Sequence, residues 1–291
     1  MNLLPLRLRL IGIFLVLMAA SLSMSSSTLA VRAHSHVTAR TMSSGTYVVT
    51  KEGNLLWYKD LANDGSSAWA PASGHIVGHG GWDKFSKVFA GDGGVIYAIT
   101  KDGNLLWYKD LAGDGTESWA RTSGQVIGHG GWDKFLNVFA SDGGVLYAIT
   151  KEGNLLWYKD LANNGTASWA PASGHIIGHG GWDKFSKVFA GDDGVIYAIT
   201  KDGSLLWYKD ITSNGIESWA PSSGYSISSG WSKYPKVFAG DAGVIYTVTT
   251  DGKLLWYKDL ANDGTASWAS NSGHVISNSG WSNFQIATAT H

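Results

Sequence analysis

Leu156-Trp157-Tyr158-Lys159-Asp160 is one of five copies of the same pentapeptide, whose tryptophan returns at Trp57, Trp107, Trp157, Trp207 and Trp256. A second series runs Trp69, Trp119, Trp169, Trp219 and Trp268, and a third runs Trp82, Trp132, Trp182, Trp231 and Trp281. Together they account for all 15 tryptophans of the 291-residue chain, at a spacing of 50 residues with one step of 49 in each series. A fixed period of this length means that no unit buries its apolar surface alone and each must stack on its neighbours.

Within the unit from Lys187 to Pro235, Val188-Phe189-Ala190 leads through a Gly/Asp turn into the run Val195 to Thr200. A Lys-Asp-Gly turn at Lys201 to Gly203 then opens Leu205 to Lys209. A fourth, weaker run is Tyr225-Ser226-Ile227, clearer one unit earlier as His175-Ile176-Ile177. Short β-rich runs separated by hairpin-type turns predict four strands per unit. Val195 to Ile199 is apolar on both faces, as in a sheet sandwiched between two others. The predicted fold is all-β: a five-bladed β-propeller of four-stranded antiparallel blades. A parallel β-helix needs shorter coils, and a helical solenoid needs period-3.6 stripes that are absent. The first unit has only Val37 to Arg40 where the others have Val-Phe-Ala, whereas Gln285 to Thr290 reads as a strand with no unit after it. The tail is therefore predicted to complete the first blade, placing N- and C-terminal strands in one sheet and removing an exposed edge.

Composition excludes several functions. With 22 basic and 23 acidic residues the chain lacks the positive field that nucleic-acid binding uses. It has no cysteine, hence no disulfide framework, thiol nucleophile or thiolate metal site. Arg7 and Arg9 precede an apolar run from Leu10 to Ala20 and then a Ser-rich stretch, which reads as a secretory signal peptide over residues 1–33, cleaved after Ala30 or Ala33. An uncleaved anchor is the competing reading, but Ser21 to Thr28 is too polar for a good spanning helix. A secreted or surface-displayed propeller over residues 34–291, monomeric and without stable membrane insertion after processing, is the expectation.

No catalytic residue is expected. Propeller glycosidases need carboxylates in different roles, whereas nearly every carboxylate here is copied from unit to unit, Glu117 and Glu217 being the clearest exceptions. No metal or cofactor is expected either: His75 and His79 are four apart, a ligand spacing that belongs on a helix, and Gln125 takes the first place beside His129. Segments such as Asn63-Asp64-Gly65 lack the spaced oxygens of a calcium loop and read as turns.

Binding residues are sought where polar identity exceeds what packing needs. Gly-His-Gly-Gly-Trp-Asp-Lys-Phe is identical at residues 78–85, 128–135 and 178–185. Recent duplication would copy such a segment without any ligand; the functional reading is one site per blade, with glycines admitting a ligand to the backbone and tryptophan offering a flat apolar face. Trp157 and its equivalents lie inside an apolar strand and read as core. The candidates are Trp69, Trp119, Trp169, Trp219 and Trp268, together with the connector groups Gly80, Gly81, Trp82 and Asp83; Gly130, Gly131, Trp132 and Asp133; and Gly180, Gly181, Trp182 and Asp183. The last two units contribute Gly230 with Trp231 and Gly280 with Trp281.

Five units of about 50 residues, each with a Gly-Trp-x-x-Phe/Tyr segment, a strand with Tyr-Ala or similar, a strand ending in Tyr-Lys and a further Trp before the Gly-Trp, resemble the tachylectin-type five-bladed lectins. The resemblance covers about residues 37–291. It implies multivalent binding of glycans bearing N-acetylhexosamine, GlcNAc or GalNAc, one site per blade, between adjacent sheets near their outer strands. In the family pattern an Asp-Asn pair commonly precedes the middle Trp. Here that place holds Ser67-Ala68, Glu117-Ser118, Ala167-Ser168, Glu217-Ser218 and Ala266-Ser267, which bears on the identity of the sugar. The alternative is a secreted protein-interaction propeller, whose mark would be one differentiated apolar patch instead of five equal pockets.

Overall fold

A computed structural model describes residues 45–289. The expected leader over residues 1–33 and the segment Val37 to Arg40 lie outside the described residues. Twenty strands form five four-stranded antiparallel sheets. The second blade consists of Lys87–Ala90, Val95–Ile99, Leu105–Lys109 and Gln125–Gly128, each paired with the next. Third, fourth and fifth blades repeat that order from Asn137–Ala140, Lys187–Ala190 and Lys236–Ala239. First strands of neighbouring blades adjoin one another, which places them around the axis of the ring. The first blade borrows its inner strand from the other end of the chain. Ile286–Ala289 pairs antiparallel with Thr46–Val49, followed by Leu55–Tyr58 and His75–Gly78. Closure by the C-terminal strand is thus as the repeat phase predicts.

Burial falls from the axis to the rim. Val95–Ile99 is buried at every position because sheets cover both of its faces. Leu105–Lys109 alternates, and Gln125–Gly128 exposes its first residue. The connector after each outer strand is one 3₁₀ turn, such as Trp82–Lys84, entered through a left-handed glycine. No helix among the described residues is long and apolar enough to cross a membrane.

Neighbouring blades are locked by buried polar contacts as well as by apolar faces. Tyr47 donates to Asp110 Oδ2 at 2.8 Å, Tyr147 to Asp210 Oδ2 at 3.2 Å and Tyr197 to Asp259 Oδ2 at 3.3 Å, each from one blade to the next. The core indoles use the residue three positions after that Asp. Trp107, Trp207 and Trp256 donate Nε1–H to Asn163, Asn262 and Asn63 at 3.1, 3.2 and 3.1 Å. Gly113 and Ser213 occupy the corresponding places opposite Trp57 and Trp157, and those two buried indole nitrogens have no acceptor among the described residues. Asn63 takes φ 49° there, a left-handed conformation that asparagine tolerates. Gly113→Asn is therefore expected to give Trp57 its acceptor and to raise unfolding free energy by about 1 kcal/mol, read as a higher urea midpoint at unchanged slope.

Burial also sets a pH dependence. Desolvation raises the carboxyls of Asp60, Asp160, Asp210 and Asp259 above the usual range, outweighing the backbone amides that lower them. A carboxyl that holds its proton more tightly folded than unfolded favours the native state below about pH 3.9, the unfolded value, and loses that contribution as pH rises through the folded one. Asp210→Asn, which cannot ionise, should gain stability relative to the parent as pH rises from about 4 to 7, and urea melts across that interval check it.

Candidate functional site

Each gap between blades brings together one tryptophan from either side. Trp182 lies in the connector that leaves the third blade, and Trp219 in the loop before the fourth blade's outer strand; their rings stack at 5.8 Å and 28°. Equivalent pairs are Trp82 with Trp119 at 5.8 Å, Trp132 with Trp169 at 5.6 Å, Trp231 with Trp268 at 5.8 Å and Trp281 with Trp69 at 5.9 Å. The two series thus meet once per gap, four pairs 37 positions apart along the chain and the fifth, Trp69 with Trp281, 212 apart across the ring closure.

The two rings have different roles. Trp219 and its equivalents are half-buried, and every one donates its indole N–H to the preceding blade: Trp69 to Ile276 O, Trp119 to Val77 O, Trp169 to Ile127 O, Trp219 to Ile177 O and Trp268 to Ile227 O, at 2.7 to 3.0 Å. Trp182 and its equivalents are buried, at 2 to 7 % exposure. This corrects the expectation of exposed platforms for that series: a turn environment in sequence is a packed one here, because each ring is covered by the next blade. Trp182 lies so close over Gly178 that a Cβ there would fall 2.5 Å from its Nε1.

A third aromatic completes each cluster. Tyr208 sits 4.9 Å from Trp182 and edge-on to Trp219 at 6.0 Å, and the same holds for Tyr58, Tyr108, Tyr158 and Tyr257 in their gaps. The tyrosines were legible in Leu-Leu-Trp-Tyr-Lys: on a strand, consecutive side chains face opposite ways, so where Trp207 faces one gap Tyr208 must face the other. Over the Trp182 cluster opens a cleft of about 300 Å³, bordered by Gly178, His179, Tyr208, Glu217, Trp219 and Ser223. That is the lower end of the volume range of small-molecule sites.

Gly180, Gly181 and Asp183 do not border this cleft. Gly80, Gly81, Gly130, Gly131, Gly180 and Gly181 have φ between 56° and 89°, and a Cβ on any of them would meet nothing within 4 Å. Left-handed backbone therefore accounts for their identity, with no other protein group packed where a Cβ would stand. Asp83, Asp133 and Asp183 turn back onto Gly53, Gly103 and Gly153, where a Cβ would fall 2.1 to 2.2 Å from a carboxylate oxygen. Gly230 and Gly280 keep the left-handed turn of the last two connectors.

Polar groups differ among the five gaps. His179 Nε2 lies 3.6 Å from Glu217 Oε2, and His79 Nε2 lies 3.4 Å from Glu117 Oε2, each pair bridging two blades. Ala167 and Ala266 replace the glutamate at the Trp132 and Trp231 clefts, and Asn278 faces the Ser67 gap in place of histidine. Both histidines are 67 % exposed, so the pairs contribute little to stability, and their polar atoms stay available at the cleft.

Among known proteins, the family model described as Tachylectin matches residues 27–165 and 209–291, more than half of the chain. A solved symmetrical protein, described for a de novo evolutionary emergence shaped by folding constraints, is 22 % identical at TM-score 0.59, covering 84 % of this chain and 97 % of its own. The six-bladed fucose-recognising lectin of Aleuria aurantia is 15 % identical at TM-score 0.38, covering 78 % and 77 %. No curated protein matches the chain in sequence.

The burial difference gives a test. Trp182→Ala should cost about 3–5 kcal/mol of unfolding free energy, since it empties a packed ring site. Trp219→Phe, which keeps most of the apolar ring and loses the N–H bond to Ile177, should cost about 1 kcal/mol; denaturant titration of both variants reads the contrast.

Proposed function

The chain belongs to the Tachylectin family, and from that premise we propose that it is a multivalent lectin that binds glycans bearing N-acetylhexosamine, GlcNAc or GalNAc, without catalysing any reaction on them. The observation that carries this reading is the aromatic cluster repeated in every gap, where the Trp182–Trp219 pair and its four equivalents recur and over which, at Trp182, a cleft opens. A sugar has an apolar face of C–H groups and polar edges. The half-buried ring of Trp219 offers that face a flat partner, while His179, Glu217 and the hydroxyls of Tyr208 and Ser223 border the polar edge. Rigid rings spaced around one toroid let individually weak sites act together on a glycan-coated surface.

The sites proposed are the paired tryptophans of each gap: Trp82 with Trp119, Trp132 with Trp169, Trp182 with Trp219, Trp231 with Trp268 and Trp281 with Trp69. Where an Asp-Asn pair would precede the middle Trp, the Glu of two clefts and the Ala or Ser of the others stand, so the clefts should differ in affinity. A secreted, monomeric protein fits this use, acting on surfaces outside the cell. The exposed apolar side chains Leu61, Leu111, Leu161, Ile211 and Leu260 recur once per blade, as equal sites would, whereas Leu136, Ile216 and Tyr225 are exposed in single blades.

Calorimetric titration with GlcNAc and GalNAc, beside a glycan array, tests the proposal. Saturable binding is expected, and Trp219→Ala should lower the number of sites by one while leaving the remaining affinities unchanged. Absence of binding to every amino-sugar glycan on the array would refute the reading.

A further inference from the structure

A second binding feature, independent of the clefts, sits on the axis. The first inner-strand residues are Lys87, Asn137, Lys187, Lys236 and Ile286, which occupy the same register opposite Ile99, Ile149, Ile199, Val248 and Val49. Because inner strands gather round the axis, three of the five strand starts at one mouth of the ring are lysines. Lys87 Nζ donates to Leu136 O at 2.8 Å, and Lys236 Nζ donates to Phe284 O and, at 3.3 Å each, to Trp281 O and Ser282 O, so both reach across to the next blade at that mouth. Among the described residues none of the three lysines has a carboxylate within 4 Å.

Desolvation pulls the Lys87 ammonium down to about 8 and lowers those of Lys187 and Lys236, so these cations are part-stripped of water and not neutralised by protein. A cavity of about 480 Å³ opens at this point, bordered by Asn137, Lys187, Lys236 and Gln285, while Lys87 lies outside its lining. Asp183 borders it too, but its carboxylate turns back onto the Gly153 turn, where a Cβ would fall 2.2 Å from Oδ1. The acids Asp92, Asp142, Asp192 and Asp241 lie past the far ends of the same strands, about 16 Å away at the usual rise per residue.

We infer that this mouth is a site for one tetrahedral oxyanion, a sulfate or phosphate group, held by Lys187 with the charge of Lys236 beside it and the Gln285 amide adding a neutral donor. An anion there would give Lys187 the partner that no described protein group gives it, and lysine binds such groups as a point charge. The group is either a free ion or the pendant ester of a sulfated or phosphorylated polysaccharide.

Sodium sulfate and sodium phosphate titrated calorimetrically into the full chain in chloride buffer at pH 7 test this. One saturable site is expected, weakened at least about tenfold by Lys187→Gln, the loss of a single charge-assisted contact. Among the described residues Lys187 donates no hydrogen bond to the protein, so Lys187→Gln should melt as the parent does; Lys236→Gln is the second variant. GlcNAc should neither compete with sulfate nor lose affinity in Lys187→Gln, which separates this site from the clefts. Competition by a sulfated, but not an unsulfated, oligosaccharide supports the pendant ester, and sulfate binding without that competition supports the free ion. No saturable heat from either ion, a stoichiometry near five, or undiminished binding by both lysine variants would overturn the inference.

Discussion

The indole N–H that each blade extends to the carbonyl of the blade before it is the contact on which the clefts depend. Trp219 to Ile177 O and its four equivalents recur in all five gaps at 2.7 to 3.0 Å. A hydrogen bond from a half-buried donor to a strand carbonyl fixes both the distance between blades and the tilt of the ring. The ring can then stack on the buried tryptophan of the preceding connector and present its other face outward. A propeller blade has apolar faces that no single sheet can cover, so the force that closes the toroid is the same one that assembles the clefts.

That economy has a limit, because repetition of the fold does not make the gaps chemically equal. The aromatic triad of two tryptophans and a tyrosine is present five times, yet His–Glu pairs bridge only the Trp82–Trp119 and Trp182–Trp219 gaps. The fourth connector is one residue shorter, and Ser228 and Ser277 stand where Gly78, Gly128 and Gly178 let the tryptophan lie close over the backbone. Buried locks are uneven too, with an acceptor for Trp107, Trp207 and Trp256 but none among the described residues for Trp57 and Trp157. Packing tolerates these differences because each affects one gap, while the strand pairing of the neighbouring blades is unchanged.

Charge is distributed along the axis rather than around it. Lysines stand at the start of the inner strands and aspartates just beyond their ends, so the channel is basic at one mouth and acidic at the other although the chain carries a net charge of only −1. Composition conceals that polarity, since it averages over positions that the ring sorts into two levels.

The sequence by itself determined the period, the number of strands per unit, the count of five blades and the borrowed strand that closes the ring. Each is a statement about which residues recur at what spacing, and apolar runs such as Val195 to Ile199 admit few other arrangements. It also marked the two tryptophan series of the clefts, and strand alternation could have added Tyr108 and Tyr208. Tertiary structure alone decided that Trp82 and its equivalents are buried floors, that Asp83 folds back on a turn, that His179 meets Glu217 and that three lysines share one mouth. Those facts concern distances between residues tens of positions apart, which only the curvature and stacking of neighbouring sheets can set.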